Sequence, residues 1–254
     1  MSTNENVVSQ TLLAEIAPRG VLRVGVNLSN FLLVGGESAD GEPVGVSPGV
    51  GRAIARELGV PVEFVTFPGP GEAADAATED VWDIVNVAAE RERAKSIAFS
   101  PAYCEIQATC LLPASSSVTA FGELDTDGTR ISVKERSAYD LWLTENLRHA
   151  TLLRAPSHDA SFERFVDDGL DALAGLRPKL LEHHEALPGS RVLEESFTAV
   201  QQSIGCRPDR PEAAAFLRDF VRRAVVRGGL IESLIAEHGV TGRLSVARSD
   251  GDGR

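Results

Sequence analysis

The densest run of chemically capable side chains is Glu90-Arg91-Glu92-Arg93-Ala94-Lys95, which leads into the small apolar turn Ile97-Ala98-Phe99-Ser100. A guanidinium turned inward from such a run can grip a carboxylate, because its planar fork offers two parallel, charge-assisted hydrogen bonds. The same cations can equally face water and pair with Glu90 and Glu92, as most charge runs do. Residue types alone leave both readings open. Further along, Ser137 opens the helical stretch SAYDLWLTENL. A serine there can cap the helix, and the free backbone N–H groups of a helix start can meet an anion. The five histidines do not recur at metal-ligand spacing. His183 and His184 are adjacent and on a helix point about 100° apart, so both are expected at the surface. Ser115, Ser116 and Ser117 read as linker, with no elbow motif around them, and there is no GxGxxG or phosphate loop. No metal or cofactor is expected.

What must position these residues is an alternation of strands and helices. From Val21 the chain reads VLRVGV, a polar loop, the helical GVGRAIARELG, the strand PVEFVTF, a small-residue segment and the strand VWDIVNVA. From Thr129 the order recurs as TRISV, SAYDLWLTENL, ATLLRA, HDASFERFVDDG and LDALAG. VWDIV and GLDALA each bring an Asp into a short apolar strand, which predicts two similar α/β lobes. CEIQATCLLPASSS, ending in Pro and serines, suits one crossover between lobes, and RVLEESFTAVQQSIGC suits a second. RPEAAAFLRDFVRRAVVRGGLIESLIAEHG then gives two helices, with Pro at the start of the first and Gly-Gly between them, expected to return to the first lobe. The expected division is 18–111 with 195–242 for lobe 1 and 112–194 for lobe 2. A helical extension over 1–17 and a polar tail over 243–254 flank them.

The 254 residues, 43% hydrophobic, suffice to bury a core. A formal net charge of -12 excludes an extended nucleic-acid or anionic-membrane face, leaving room only for a local basic pocket. No stretch reaches the length of a membrane span. MSTNENVVSQTLLAEIAPRG lacks the cationic start and apolar run of a secretory signal. As written the chain is therefore expected in the cytoplasm, although an exported chain whose leader had been removed would read the same. Three cysteines make no disulfide framework. Cys104 and Cys110 on one strand would sit roughly 20 Å apart.

In their order and spacing, LRVGVN, GVPVEF, WDIV, ERAKSIAFSPAY, SAYDLWL and GGLIESLIAEHG resemble the family 3 extracellular solute-binding proteins, the amino-acid receptors of ABC importers. The resemblance covers roughly residues 18 to 240. It implies the type II periplasmic-binding fold, two α/β lobes joined by two crossover strands, with a cleft that closes on a small ligand by hinge motion. It also implies a partnership with an ABC permease if the protein is exported. Within it, Arg93, six residues before Phe99, matches the Arg that grips the ligand carboxylate. Ser137, with the Ala138 N–H behind it, matches the anchor from the second lobe. Asn27 and Asn86 can add neutral hydrogen bonds at the cleft edge, or bond locally in turns.

Several positions depart from the family pattern. Arg136 stands where Gly commonly precedes the anchor, Ala88 replaces a ligand-bonding Ser or Thr, and Asn30 aligns with a covering aromatic. The Asp that binds a ligand ammonium would fall at Leu176, and Arg177 follows. An ordinary α-amino acid is then disfavoured. A dicarboxylate, keto acid or acidic amino acid suits Arg93, Arg136 and Arg177 if all point inward. The same fold also serves lyases and dehydratases of carboxylic acids. For such chemistry Glu105 is the first candidate acid, since desolvation favours a protonated carboxyl, with Glu135 and Lys134 behind it.

Overall fold

A computed structural model describes residues 8–247. In chain order its elements begin with α1 (Gln10–Ile16), β1 (Leu22–Asn27), β2 (Gly36–Glu37), β3 (Pro43–Val44), α2 (Val46–Leu58), β4 (Val62–Phe67), α3 (Pro70–Asp75), β5 (Ile84–Ala88) and β6 (Ala98–Phe99). They continue with β7 (Cys104–Leu112), β8 (Arg130–Lys134), α4 (Ala138–Asn146), β9 (Thr151–Ala155), α5 (His158–Asp167), β10 (Ala172–Leu176), α6 (Arg177–Ala186) and β11 (Arg191–Val192). The chain closes with β12 (Thr198–Cys206), α7 (Pro211–Val226), α8 (Leu230–Glu237) and β13 (Ser245–Val246). Two compact units result, residues 1–104 with 202–254 and residues 105–201, so the chain passes between them inside β7 and again inside β12.

In the first unit β4, β1 and β5 run parallel, β12 is antiparallel to β5, and β6 is antiparallel to β12. Alternation sends Val85 and Val87 to one face, where they pack with Trp82, Ile97 and the alanines of the α3 segment, Ala73, Ala74, Ala76 and Ala77. Gly25 makes room there, since a Cβ on it would lie 3.0 Å from Val85 and 3.1 Å from Trp82. The Trp82 indole is anchored by donating to the Ala73 carbonyl at 3.0 Å. Helix α2 buries Val46, Val50, Ile54 and Leu58, one residue every four, and Gly59 ends it in the left-handed conformation. Glu15 at the end of α1 accepts from the Glu212 and Ala213 N–H groups and so caps α7.

In the second unit β9, β8 and β10 run parallel, β7 is antiparallel to β10, and β11 is antiparallel to β7. The two Asp residues picked out by sequence play matching parts. Asp83 accepts from the Arg23 backbone N–H while its own N–H donates to the Arg23 carbonyl. Asp171 does the same with Arg130. Each such pair fixes where a parallel strand starts beside its neighbour. The surroundings differ: Asp83 is fully buried, whereas the Asp171 side chain is half exposed.

The polar loop after β1 holds a feature the sequence reading lacked, the β2–β3 hairpin. Of the expected tail over 243–254, β13 is ordered into a strand and 248–254 lie outside the described residues, as do 1–7 of the N-terminal extension. Cys104, Cys110 and Cys206 are buried and form no disulfide among the described residues, and burial pushes the Cys206 thiol up to about 11. Among the described residues no helix is long and apolar enough to cross a membrane.

Candidate functional site

Open parallel sheets bind ligands beyond the carboxyl ends of their strands, where loops lead into helix starts. In the first unit that edge is formed by Asn27, Phe67 and Ala88, the last residues of β1, β4 and β5. Arg93 follows β5 in a short 3-10 turn spanning Arg93–Lys95. It is only 5% exposed, and one of its donors holds the Ala88 carbonyl at 3.0 Å. Arg91 and Lys95 stay exposed, and Lys95 pairs with Glu92. The charge run thus separates by position, with a single guanidinium turned inward beside a strand end.

The neutral residues of this unit behave differently. Asn27 accepts from the Ser29 N–H and hydroxyl, a local turn, and Asn30 accepts from the Leu32 N–H. Asn86 corrects the expectation of a cleft-edge residue. It shares a strand face with Ile84 and Ala88, sits in register with Val26 and Ile204, and is 2% exposed. Neither polar atom of its amide has a hydrogen-bond partner among the described residues. Ala88 is buried at the strand end, and its side chain offers nothing polar.

In the second unit the corresponding edge is Lys134, Ala155 and Leu176. Ser137 caps α4: its hydroxyl accepts from the Asp140 N–H at 3.1 Å and donates to the Lys134 carbonyl at 2.8 Å. The Ala138 N–H, first of the helix, remains outside the intrahelical ladder. Arg136 adopts a left-handed backbone, φ 57°, unusual for a residue with a Cβ. Its N–H donates to Asp140, which is buried and also receives Arg154. Lys134 is 5% exposed at the end of β8, while Glu135 is exposed and bonded through its backbone to Ala155.

Arg177 is a second correction. Its guanidinium donates to Gln107 Oε1 at 2.8 Å, to the Glu194 carbonyl at 2.6 Å and to the Ser196 hydroxyl at 3.1 Å. These bonds tie the start of α6 to the two connecting segments, so the side chain is spent on structure rather than on the strand-end edge. Glu105, in β7, accepts from the Gln201 side-chain amide of β12 at 3.0 Å. His183 is a third correction, being 8% exposed and stacked on Phe162 with ring centroids 4.1 Å apart. Desolvation, then the charge of Lys179, lowers its proton affinity. His184 bonds the Ser190 hydroxyl instead.

Sequence reasoning passed over two polar groupings. In the second unit the Tyr139 hydroxyl meets His158 Nδ1 at 3.2 Å, each residue lying in the first turn of a helix, α4 and α5. Burial holds the Tyr139 phenol well above its usual range. In the first unit the Ser47 and Tyr103 hydroxyls are buried with no hydrogen-bond partner among the described residues, and burial likewise raises Tyr103. Among the described residues no cluster of His, Cys, Asp and Glu could hold a metal ion.

The family pattern described as bacterial extracellular solute-binding proteins, family 3, matches residues 22–229. Solved structures similar to this one include an ancestral amino-acid-binding protein described as a precursor of cyclohexadienyl dehydratase, at 23% identity and a TM-score of 0.70, covering 89% of this chain and 98% of that one. A putative ABC-transporter binding component from Wolinella succinogenes, complexed with lysine, aligns at 16% identity and a TM-score of 0.71 over 86% of this chain and 95% of its own. A cysteine-binding protein from Campylobacter jejuni aligns at 19% identity and a TM-score of 0.71, over 89% and 92%. No curated protein matches in sequence. The fold is therefore that of the type II periplasmic binding proteins.

Proposed function

We propose that this chain, which belongs to the bacterial extracellular solute-binding proteins of family 3, binds a small carboxylic acid, closing its two lobes on it by hinge motion. The observation that carries this reading is the buried Arg93 guanidinium at the end of β5, set apart from its exposed neighbours Arg91 and Lys95. The guanidinium already holds the Ala88 carbonyl through one donor, and its planar fork suits a ligand carboxylate. From the second unit the Ala138 N–H at the start of α4 is the matching donor.

The ligand class is amino-acid-like, keto or dicarboxylic. Solved relatives include one complexed with lysine and one that binds cysteine, which supports the amino-acid-like size. Lys134 and Arg136 flanking the α4 start, and the apolar Leu176 at the end of β10, favour an acid over an amine at the distal end. A thermal-shift screen against amino, keto, hydroxy and dicarboxylic acids tests the reading, because a ligand at 100 times its Kd adds about 2.7 kcal/mol. Mass spectrometry of each hit then separates binding from turnover. A hit recovered unchanged is the expected result; a screen in which no carboxylate shifts the transition contradicts the proposal.

A further inference from the structure

A groove of about 500 Å³ runs along the first unit between α2 and the corner joining α7 to α8. It begins at Ala53, seven residues into α2, so at 1.5 Å per residue it lies roughly 10 Å along the helix from the strand-end edge. Its floor is apolar, made of Ala53, Phe220, Ala224 and Leu230. The lining positions fall at 53, 56 and 57 on α2 and at 220, 223 and 224 on α7, with 227 directly after it. Both are helical stripes of spacing three and four, so the groove follows two helix axes, the shape in which a further helix seats its own ridges.

The charges of the rim are unequal. Arg223 spans the groove to Glu57 with bonds of 2.7 and 3.3 Å and also takes Asp219 at 2.7 Å, so two carboxylates meet its one positive charge. Arg56 and Arg227 are exposed, and their side chains have no hydrogen-bond or ion-pair partner among the described residues. In a chain of net charge -12, the three guanidiniums Arg56, Arg223 and Arg227 outnumber the two carboxylates Glu57 and Asp219, so the rim keeps a local positive charge. We propose that this groove docks an acidic amphipathic helix of a partner protein, with its apolar face on the partly exposed Ala53 and Leu230 above the nearly buried Phe220 and Ala224, and its carboxylates on Arg56 and Arg227. Charge complementarity selects that occupant over a basic helix, which the rim would repel.

The probe is a fluorescein-labelled synthetic helix of about 15 residues, the length at which isolated helices begin to hold, with leucine on one face and glutamate on the other. Fluorescence anisotropy against the full chain is expected to show saturable binding. The Arg56→Glu/Arg227→Glu variant should weaken it by at least about tenfold, and Arg56→Gln/Arg227→Gln by a smaller factor in the same direction. Arg218→Glu/Arg222→Glu makes an equal charge change on exposed α7 residues outside the groove and should stay within about threefold of wild type. Circular dichroism melts verify that each variant is folded. Equal weakening by both reversed pairs, equal binding of a lysine-for-glutamate helix, or binding of decanoate with none of the glutamate helix would each overturn the proposal.

Discussion

Removing the Asp83 carboxylate is expected to damage the protein far more than the same change at Asp171, although the two hold matching places in the two units. Asp83 is fully buried and accepts four bonds: from the Arg23 backbone N–H and Nε at 3.0 Å each, from Arg23 Nη2 at 2.8 Å and from Arg210 Nη1 at 3.2 Å. Arg23 is 4% exposed and Arg210 8%. Asp83→Asn strips their innermost counter-charge, leaving Asp80, itself 46% exposed, as the nearest carboxylate. Breaking a buried ion pair from one side costs about 3–5 kcal/mol. Asp171 accepts the Arg130 N–H at 2.7 Å from a side chain 49% exposed, where water replaces the lost partner. Asp171→Asn should therefore cost about 1 kcal/mol. Urea unfolding reads both losses, and the two tryptophans, Trp82 in the first unit and Trp142 in the second, report each unit separately. Equal losses, or a larger loss at Asp171, would refute the argument that burial sets the magnitude.

Other expectations follow from single positions. Arg136→Gly relieves a left-handed backbone worth about 1–2 kcal/mol against an entropic penalty of about 0.5–1 kcal/mol, so the melting temperature should rise slightly; a clear fall would show that the Arg136 side chain outweighs its backbone strain. Gly45→Ala places a Cβ 2.2 Å from the Leu33 carbonyl oxygen just before α2, and should destabilise by about 2 kcal/mol or more in chemical denaturation. His183 binds its proton less readily folded than unfolded, so its contribution is complete above the unfolded pKa of about 6.5 and is lost as pH falls below it. His183→Phe, which keeps a ring against Phe162, should flatten the fall in melting temperature over that acidic range; an unchanged slope would assign the fall to other groups.

Local signals carried most of the architecture. Apolar runs such as VLRVGV and WDIVNVA, the serine before AYDLWL and the Pro and Gly-Gly around the last two helices mark elements through backbone rules that act within a few residues. The Asp-first strands showed the internal repeat because each Asp must answer a backbone N–H on the neighbouring strand. Side-chain direction was less legible. Asn86 alternates inward on a central strand, Arg177 turns to Gln107 and Ser196, and His183 rather than His184 lands on the packed side of α6. Each depends on which neighbour lies alongside, information spread over distant parts of the chain. Arg93 was separable from Arg91 only through family resemblance, since charge spacing treats them alike.

The most direct test of the carboxylate-binding account is calorimetric titration of the best carboxylate from the thermal-shift screen into wild type, Arg93→Ala and Arg91→Ala. Truncating a buried partner of an anion costs about 2–5 kcal/mol, so Arg93→Ala should weaken binding at least about thirtyfold while the exposed Arg91→Ala stays near wild type. Unchanged affinity in a folded Arg93→Ala protein would contradict it.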